Sequence, residues 1–224
     1  LETGTIHIWD SFSSVPLKIG RFPIRDMKND HFAPWLSLPE VMAYSSNPAA
    51  AHIALDVGGK RQAEWLRGMG FFAPVPVELP EAARPLVPRQ WGLATTMTVG
   101  FGHGVAEPPL AIVRGTAATV NGGILVTPTL LDQEDPDPPA PDASPAEEFA
   151  QGVQSAALRQ TLPTLPTGTG APMPEAPVIP QGVRVLSESN SALLRRLLRL
   201  DVTQGTGRTA ESPGYFVGGK TGTA

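Results

Sequence analysis

Apolar side chains recur with one-sided, helical spacing in five stretches of the chain, at 38–44, 47–57, 60–69, 109–120 and 191–202. Each predicts an amphipathic helix. Gly58, Gly70, Gly122 and Gly205 stand just past four of these patterns. Glycine tolerates the left-handed backbone that ends a helix, so these positions predict the stops. In the last stretch Leu193, Leu194, Leu197 and Leu198 make the apolar side, while Arg195, Arg196 and Arg199 cluster on the polar side and predict a solvated face. Strand-like segments are few: 17–20 and 22–24 predict a small hairpin, and 215–223 predicts a terminal strand. One strand cannot make a sheet. The pattern therefore predicts a mostly helical piece of a larger domain.

Between the fourth and fifth helices the pattern lapses. Residues 132–182 hold 11 of the 25 prolines, eight acidic side chains and a single basic one, Arg159. That composition buries too little apolar surface to offset its ordering entropy, and predicts a largely disordered insert. One island within it, Ser144-Pro145-Ala146-Glu147, has the form of an N-cap, a first-turn proline and a capping-box acid ahead of a short helix over 148–162. The predicted organisation is thus a helical part with residues 1–131, the insert 132–182, and a returning part, 183–224. The insert carries a net charge of −7, so the rest of the chain carries +3 of the overall −4. No basic excess marks a nucleic-acid surface, no apolar run is long enough to cross a bilayer, and no signal peptide is present in these residues. The absence of cysteine excludes disulfides and thiolate metal sites. His7, His31, His52 and His103 lack metal-ligand spacing, so no metal or other cofactor is expected.

The candidate chemistry begins at the C-terminal end, where the apolar run 215–217 leads through two glycines to Lys220-Thr221-Gly222-Thr223. An ammonium supplies positive charge, a hydroxyl can bond a carboxylate, and the bare backbone at Gly222 lets a peptide approach closely. The same residues fit a second pattern, since 214–221 reads G-x-x-x-x-G-K-T, the phosphate-cradling loop. Such a loop follows a buried strand and opens a helix. Here a polar turn, 209–213, precedes it and the apolar triplet falls inside it, so the flanks favour a strand. A second polar cluster is Tyr44-Ser45-Ser46-Asn47-Pro48, between two helical patterns. Asn47 before Pro48 suits an N-cap with proline at N1; alternatively the loop offers the Ser45 hydroxyl and the Asn47 amide to a cleft.

Taken together, Ser45-x-Asn47 and Lys220-Thr221-Gly222 resemble the second and third active-site motifs of the penicillin-binding protein transpeptidases. The resemblance extends along 40–47, the glycine-rich 96–104, Asn121-Gly122-Gly123, and the approach 197–207, and is strongest to the class B, division-type enzymes. It implies an α/β parent fold of the β-lactamase and D,D-peptidase kind. It also implies serine acyl transfer: a serine, activated by a lysine one helical turn on, attacks the penultimate D-Ala carbonyl of a peptidoglycan stem peptide, expels D-Ala and passes the acyl group to a neighbouring amine. β-Lactams imitate that peptide. By the same resemblance Ser45 would relay protons, Asn47 would bond the substrate amide and Lys220 would tune the relay. Thr221 would take the substrate carboxylate, Gly222 would leave room for the peptide, and the backbone N–H of Thr223 would form half of the oxyanion hole. Septal glycosyltransferase and other division proteins are the implied partners, and the periplasmic face of the bacterial inner membrane the implied site of action. One motif is missing: no lysine has a serine three residues before it, those positions being Val15, Arg25, Val57 and Val217. The resemblance places the nucleophile and a membrane anchor upstream of Leu1. A β-lactamase or β-lactam sensor, and a non-catalytic protein that binds partners through the insert, are the alternatives.

Overall fold

A computed structural model describes residues 1–27, 32–131 and 182–222 of the 224. Residues Leu1–Pro128 and Gly182–Ala224 form one compact unit, and Thr129–Gln181 a second. The expected short helix at 148–162 lies outside the described residues, as does Thr223.

Among the described residues six helices make the frame of the first unit: α1 (Leu38–Tyr44), α2 (Asn47–Val57), α3 (Gly59–Gly68), α4 (Leu93–Val99), α5 (Pro109–Val120) and α6 (Glu188–Gln204). Five coincide with the apolar patterns. The sixth, α4, lies within a stretch that reads as a connection because Thr95, Thr96 and Thr98 dilute its apolar face. Thr96 Oγ1 donates to Gly92 O at 3.0 Å and Thr98 Oγ1 to Ala94 O at 3.0 Å, within the helix and its cap, while Thr95 Oγ1 donates to Gln90 O at 3.4 Å just ahead of it, so none of the three exposes an unmet polar group.

The described strands occur as three antiparallel pairs: β1 (Ser11–Ser13) with β4 (Trp35–Ser37), β2 (Leu17–Ile19) with β3 (Phe22–Ile24), and β5 (Ile124–Val126) with β6 (Gly182–Arg184). The β2–β3 pair is the expected hairpin. The other two join residues far apart in sequence, where three-residue strands leave no readable alternation. In the β5–β6 pair Val126 stands opposite Gly182 and Ile124 opposite Arg184, so the chain leaves and re-enters the first unit at neighbouring points.

The core falls into three clusters. Ile6, Phe12, Leu36, Leu38, Val41 and Ala49 bury the β1–β4 pair against α1 and α2. Ile24, Ala51 and Met97 join the hairpin to α2 and α4; Met69, Ala118 and Leu125 join the end of α3 to α5 and β5. Alanine at 49 and 51, both fully buried, lets α2 lie close to its neighbours. Gly100 continues that fit, since a Cβ there would stand 2.7 Å from the Ala54 methyl and 2.9 Å from Ala50 O. Among the described residues no helix is long and apolar enough to cross a membrane.

Helix α6 packs on both α1 and α5. Ser187 caps it, accepting from the Asn190 N–H at 3.3 Å, and Glu2 anchors the cap by accepting from Ser187 Oγ at 2.9 Å. Fully buried Ser191 donates to Thr119 O at 2.9 Å and accepts from the Gly122 N–H at 3.0 Å, which fixes α6 against the end of α5. The opposite end of α6 packs on α1, and there the two candidate motifs meet.

Candidate functional site

Helix α1 begins with a capping box at Ser37 and Glu40 and ends at Ser45, whose φ of 62° and ψ of 40° are left-handed. A non-glycine residue in that region costs roughly 1–2 kcal/mol. The turn is held from both sides: the Ser45 N–H donates to Val41 O at 3.0 Å, and the next two residues are gripped by Asp26. Ser46 Oγ donates to Asp26 Oδ2 at 2.9 Å and the Asn47 N–H donates to Asp26 Oδ1 at 2.6 Å. Ser46, 1% exposed, is also the N-cap of α2, accepting from the Ala49 N–H.

This corrects the expected cap. Asn47 is the first residue inside the helix, not the residue before it, because Ser46 Oγ reaches the free N–H and Asp26 satisfies the one on Asn47. The Asn47 amide is thereby released from capping, and donates to Arg25 O at 3.2 Å. The Ser45 hydroxyl makes no hydrogen bond with the described residues and is half-buried, so it is free for a ligand.

The segment 215–222 is not a strand. A strand needs a ladder partner, and none of the described strands lies beside it. It runs against α6 instead: the Gly219 N–H donates to Leu198 O at 3.1 Å and the Thr221 N–H donates to Asp201 Oδ2 at 3.3 Å. Arg199 holds the approach. Its guanidinium forms two bonds to Glu211, at 2.5 and 2.9 Å, donates to Val217 O at 2.8 Å, and lies 5.9 Å from the centre of the Phe216 ring. This pairing raises the Arg199 pKa and lowers that of Glu211. The expected solvated arginine face is therefore only partly so: Arg196 is exposed, whereas Arg195 donates to Val120 O at the end of α5 and Arg199 is a clamp.

Asp201 is the residue that sequence reasoning missed. It is fully buried, and Oδ1 accepts from the Thr206 N–H at 2.9 Å, the Thr206 hydroxyl at 3.0 Å and the Gly207 N–H at 3.3 Å. A carboxylate can only accept, so the Thr206 hydroxyl gives its proton to Asp201 and must itself accept from Thr221 Oγ1, 2.5 Å away. Thr221 Oγ1 in turn accepts from Lys220 Nζ at 3.3 Å. The bonds form one polarised row, from the Lys220 ammonium through two hydroxyls to a buried carboxylate. Lys220 is exposed as a whole residue, but its ammonium sits where partial desolvation lowers its pKa from 10.5; the Asp201 charge opposes the shift.

Thr206 also joins the two motifs. Its N–H donates to Ala43 O in α1, at 3.0 Å, two residues before Ser45, while its hydroxyl contacts Thr221. The approach is tight: a Cβ on Gly205 would stand 2.2 Å from Ala43 O. Only glycine allows α1 and α6 to meet there. The phosphate-loop alternative has no support in this arrangement, because the N–H groups of Gly219 and Thr221 point into α6 rather than converging outside it. The only sequence sign of Asp201 was a charged residue at an inward position of an apolar helix, which is weak by itself.

The helical frame thus brings Ser-x-Asn and Lys-Thr-Gly together through one threonine, Thr206. The description of the penicillin binding protein transpeptidase domain matches residues 1–224, and the chain belongs to that family. Among similar proteins, the probable peptidoglycan D,D-transpeptidase FtsI of Caulobacter vibrioides is 34% identical over 227 residues, covering 100% of this chain and 31% of that protein. Stage V sporulation protein D of Bacillus subtilis is 29% identical over 187 residues, covering 83% of this chain and 24% of that protein. The chain thus spans less than a third of the length of these relatives. Among solved structures, the transpeptidase domain of Burkholderia pseudomallei penicillin-binding protein 3 superposes with a TM-score of 0.72 at 22% identity, over 99% of this chain and 55% of that one. Penicillin-binding protein 3 of a Mycobacterium species, complexed with aztreonam, gives 0.66 at 24%, over 95% and 42%. These likenesses show the α/β transpeptidase-domain fold, of which the described residues are the largely helical part.

Proposed function

We propose that this chain is the part of a serine D,D-transpeptidase that carries the second and third motifs, and that the protein containing it cross-links peptidoglycan stem peptides during division and is acylated by β-lactams. The observation that carries the reading is the link through Thr206, which ties the backbone beside Ser45 to the hydroxyl of Thr221. The names of the relatives, FtsI above all, support both the reaction and the division role.

In this reading a serine upstream attacks the penultimate D-Ala carbonyl. A lysine one helical turn beyond that serine takes its proton, Ser45 relays a proton to the departing D-Ala nitrogen and later takes one from the incoming amine, and Lys220 tunes that relay. Desolvation lowers the Lys220 pKa against the opposing charge of Asp201, so the charge with which it tunes the relay is held less firmly than on an ordinary lysine. The Asn47 amide bonds the substrate amide, Thr221 takes the terminal carboxylate, and the Thr223 N–H shares the oxyanion. Gly222 keeps a flank open where nothing lies within 4 Å of its missing Cβ. The protein acts at the periplasmic face of the inner membrane, held by an anchor outside these residues, beside a septal glycosyltransferase and other division proteins. Thr129–Gln181 remains a separate insert between the two motifs.

The test is intact-mass analysis of the full-length protein with benzylpenicillin, beside Lys220→Ala. A covalent adduct that forms much more slowly in the variant is expected. No adduct on the parent protein would overturn the reading, and fast turnover of the adduct by water would replace transfer with β-lactam hydrolysis.

A further inference from the structure

We propose that Asp201 is a positioning residue for the Lys-Thr-Gly segment, one that sets the backbone of Thr221 and the direction of its hydroxyl proton. The assignment of Thr221 to carboxylate recognition rests on the function proposed above; the placement of the segment by Asp201 does not. Three features carry it. Asp201 has no exposed surface, and a buried carboxylate is tolerated only where donors satisfy it. Its two oxygens divide the work: Oδ1 takes the three donors of the Thr206–Gly207 turn, and Oδ2 takes the Thr221 N–H. Finally, the row from Asp201 through Thr206 draws the Thr221 proton inward.

The last feature has a chemical result. With its proton committed to Thr206, Thr221 presents lone pairs to Lys220. An anionic ligand must turn that proton toward itself, and the hydroxyl can turn without moving the backbone because the Thr221 N–H stays on Asp201 Oδ2. Thr221 is thus held in place while its hydroxyl remains free to switch partner.

Asp201→Asn separates the two oxygens. The amide oxygen can keep the bonds at Oδ1, but the amide nitrogen would face the Thr221 N–H, donor against donor. Full-length protein, Asp201→Asn and Thr206→Val are compared for acylation by a fluorescent penicillin and by its methyl ester, for thermal unfolding, and for hydrogen exchange over 217–222. Asp201→Asn is expected to unfold within about 4 °C of the parent, to acylate at least tenfold more slowly with the carboxylate form, and to lose much of the preference for carboxylate over ester. A purely structural role would lower both forms alike. Parental rates and preference in Asp201→Asn would overturn the proposal. If that variant does not fold, Thr206→Val, which removes the hydroxyl between Asp201 and Thr221, must lower the same preference for the proposal to stand. If the parent is not acylated, the acyl-transfer reading fails on its own. Exchange over 217–222 then decides the positioning role: faster in Asp201→Asn sustains it, unchanged overturns it.

Discussion

Gly205→Ala tests the junction of the two motifs most directly. The added Cβ would lie 2.2 Å from Ala43 O, 2.5 Å from Asp201 Oδ1 and 2.8 Å from Asp201 Cα. Ordinary contacts for such a carbon begin near 3.4 Å, so about 1 Å of separation must open between α1 and α6. Two of the three atoms belong to backbone and cannot rotate away. The backbone itself raises no objection, since the φ of Gly205 is −98°. The cost is therefore steric, at the upper end of the overpacking range, about 3 kcal/mol. For a unit of this size that corresponds to a fall in Tm of roughly 6–12 °C. Gly68→Ala is the matched comparison: it sits in the last turn of α3 with nothing within 4 Å of its missing Cβ, and should be stabilising by about 0.5–1 kcal/mol. Chemical and thermal unfolding of both variants, with β-lactam acylation in the full-length protein, give the comparison. If Gly205→Ala were as stable as Gly68→Ala and acylated at the parental rate, the claimed junction would be wrong.

Arg199→Ala should free the 211–219 approach from α6, seen as faster hydrogen exchange and proteolysis there, with acylation slowed. Replacing Glu107 tests a buried carboxyl whose pKa burial raises above the ordinary 4.5, although it accepts from the Phe72 N–H at 3.1 Å. A raised acid pKa means the folded state takes up the proton first as pH falls, so the carboxylate weakens stability above its folded pKa and this penalty disappears on acidification. The stability of Glu107→Gln relative to the parent should therefore be most favourable near neutrality and fall as pH drops toward 4.5. For Lys220 the alkaline limb of acylation should lie below 10.5, and removing the opposing charge in Asp201→Asn should move it lower still, as read from the pH profile of the acylation rate.

What the sequence revealed and what it hid divide by the range of the interactions. The ranges of helices α1, α2 and α5 were legible to the residue because helical periodicity is local, although the cap of α2 is Ser46 and not Asn47. The β1–β4 and β5–β6 pairs were not, since Ser11 finds Ser37 and Ile124 finds Arg184 only through tertiary folding. At the site, Ser45, Asn47, Lys220 and Thr221 were found as motifs. Asp26, which grips the Ser46–Asn47 turn from 20 residues away, and Asp201, which grips Thr221 from the same distance, carry no motif. Arg199 was misjudged for a related reason: helical spacing says which residues share a face, but not whether another part of the chain returns to cover it. The terminal strand failed for want of a neighbour, as β structure is never a property of one segment alone.

The β5–β6 ladder gives the spacing between the two motifs an unusual freedom. Because Val126 and Gly182 are partners, everything between them is a closed loop whose ends are already fixed, and doubling its length adds only about 0.6 kcal/mol of closure entropy. The ladder itself has no such tolerance, since a slip of one residue would turn every side chain of β6 to the other face. The segment 129–181 can therefore change in length and composition while the parts of the chain that carry the two motifs stay in register, much as a gauge block stays true whatever is hung from its side.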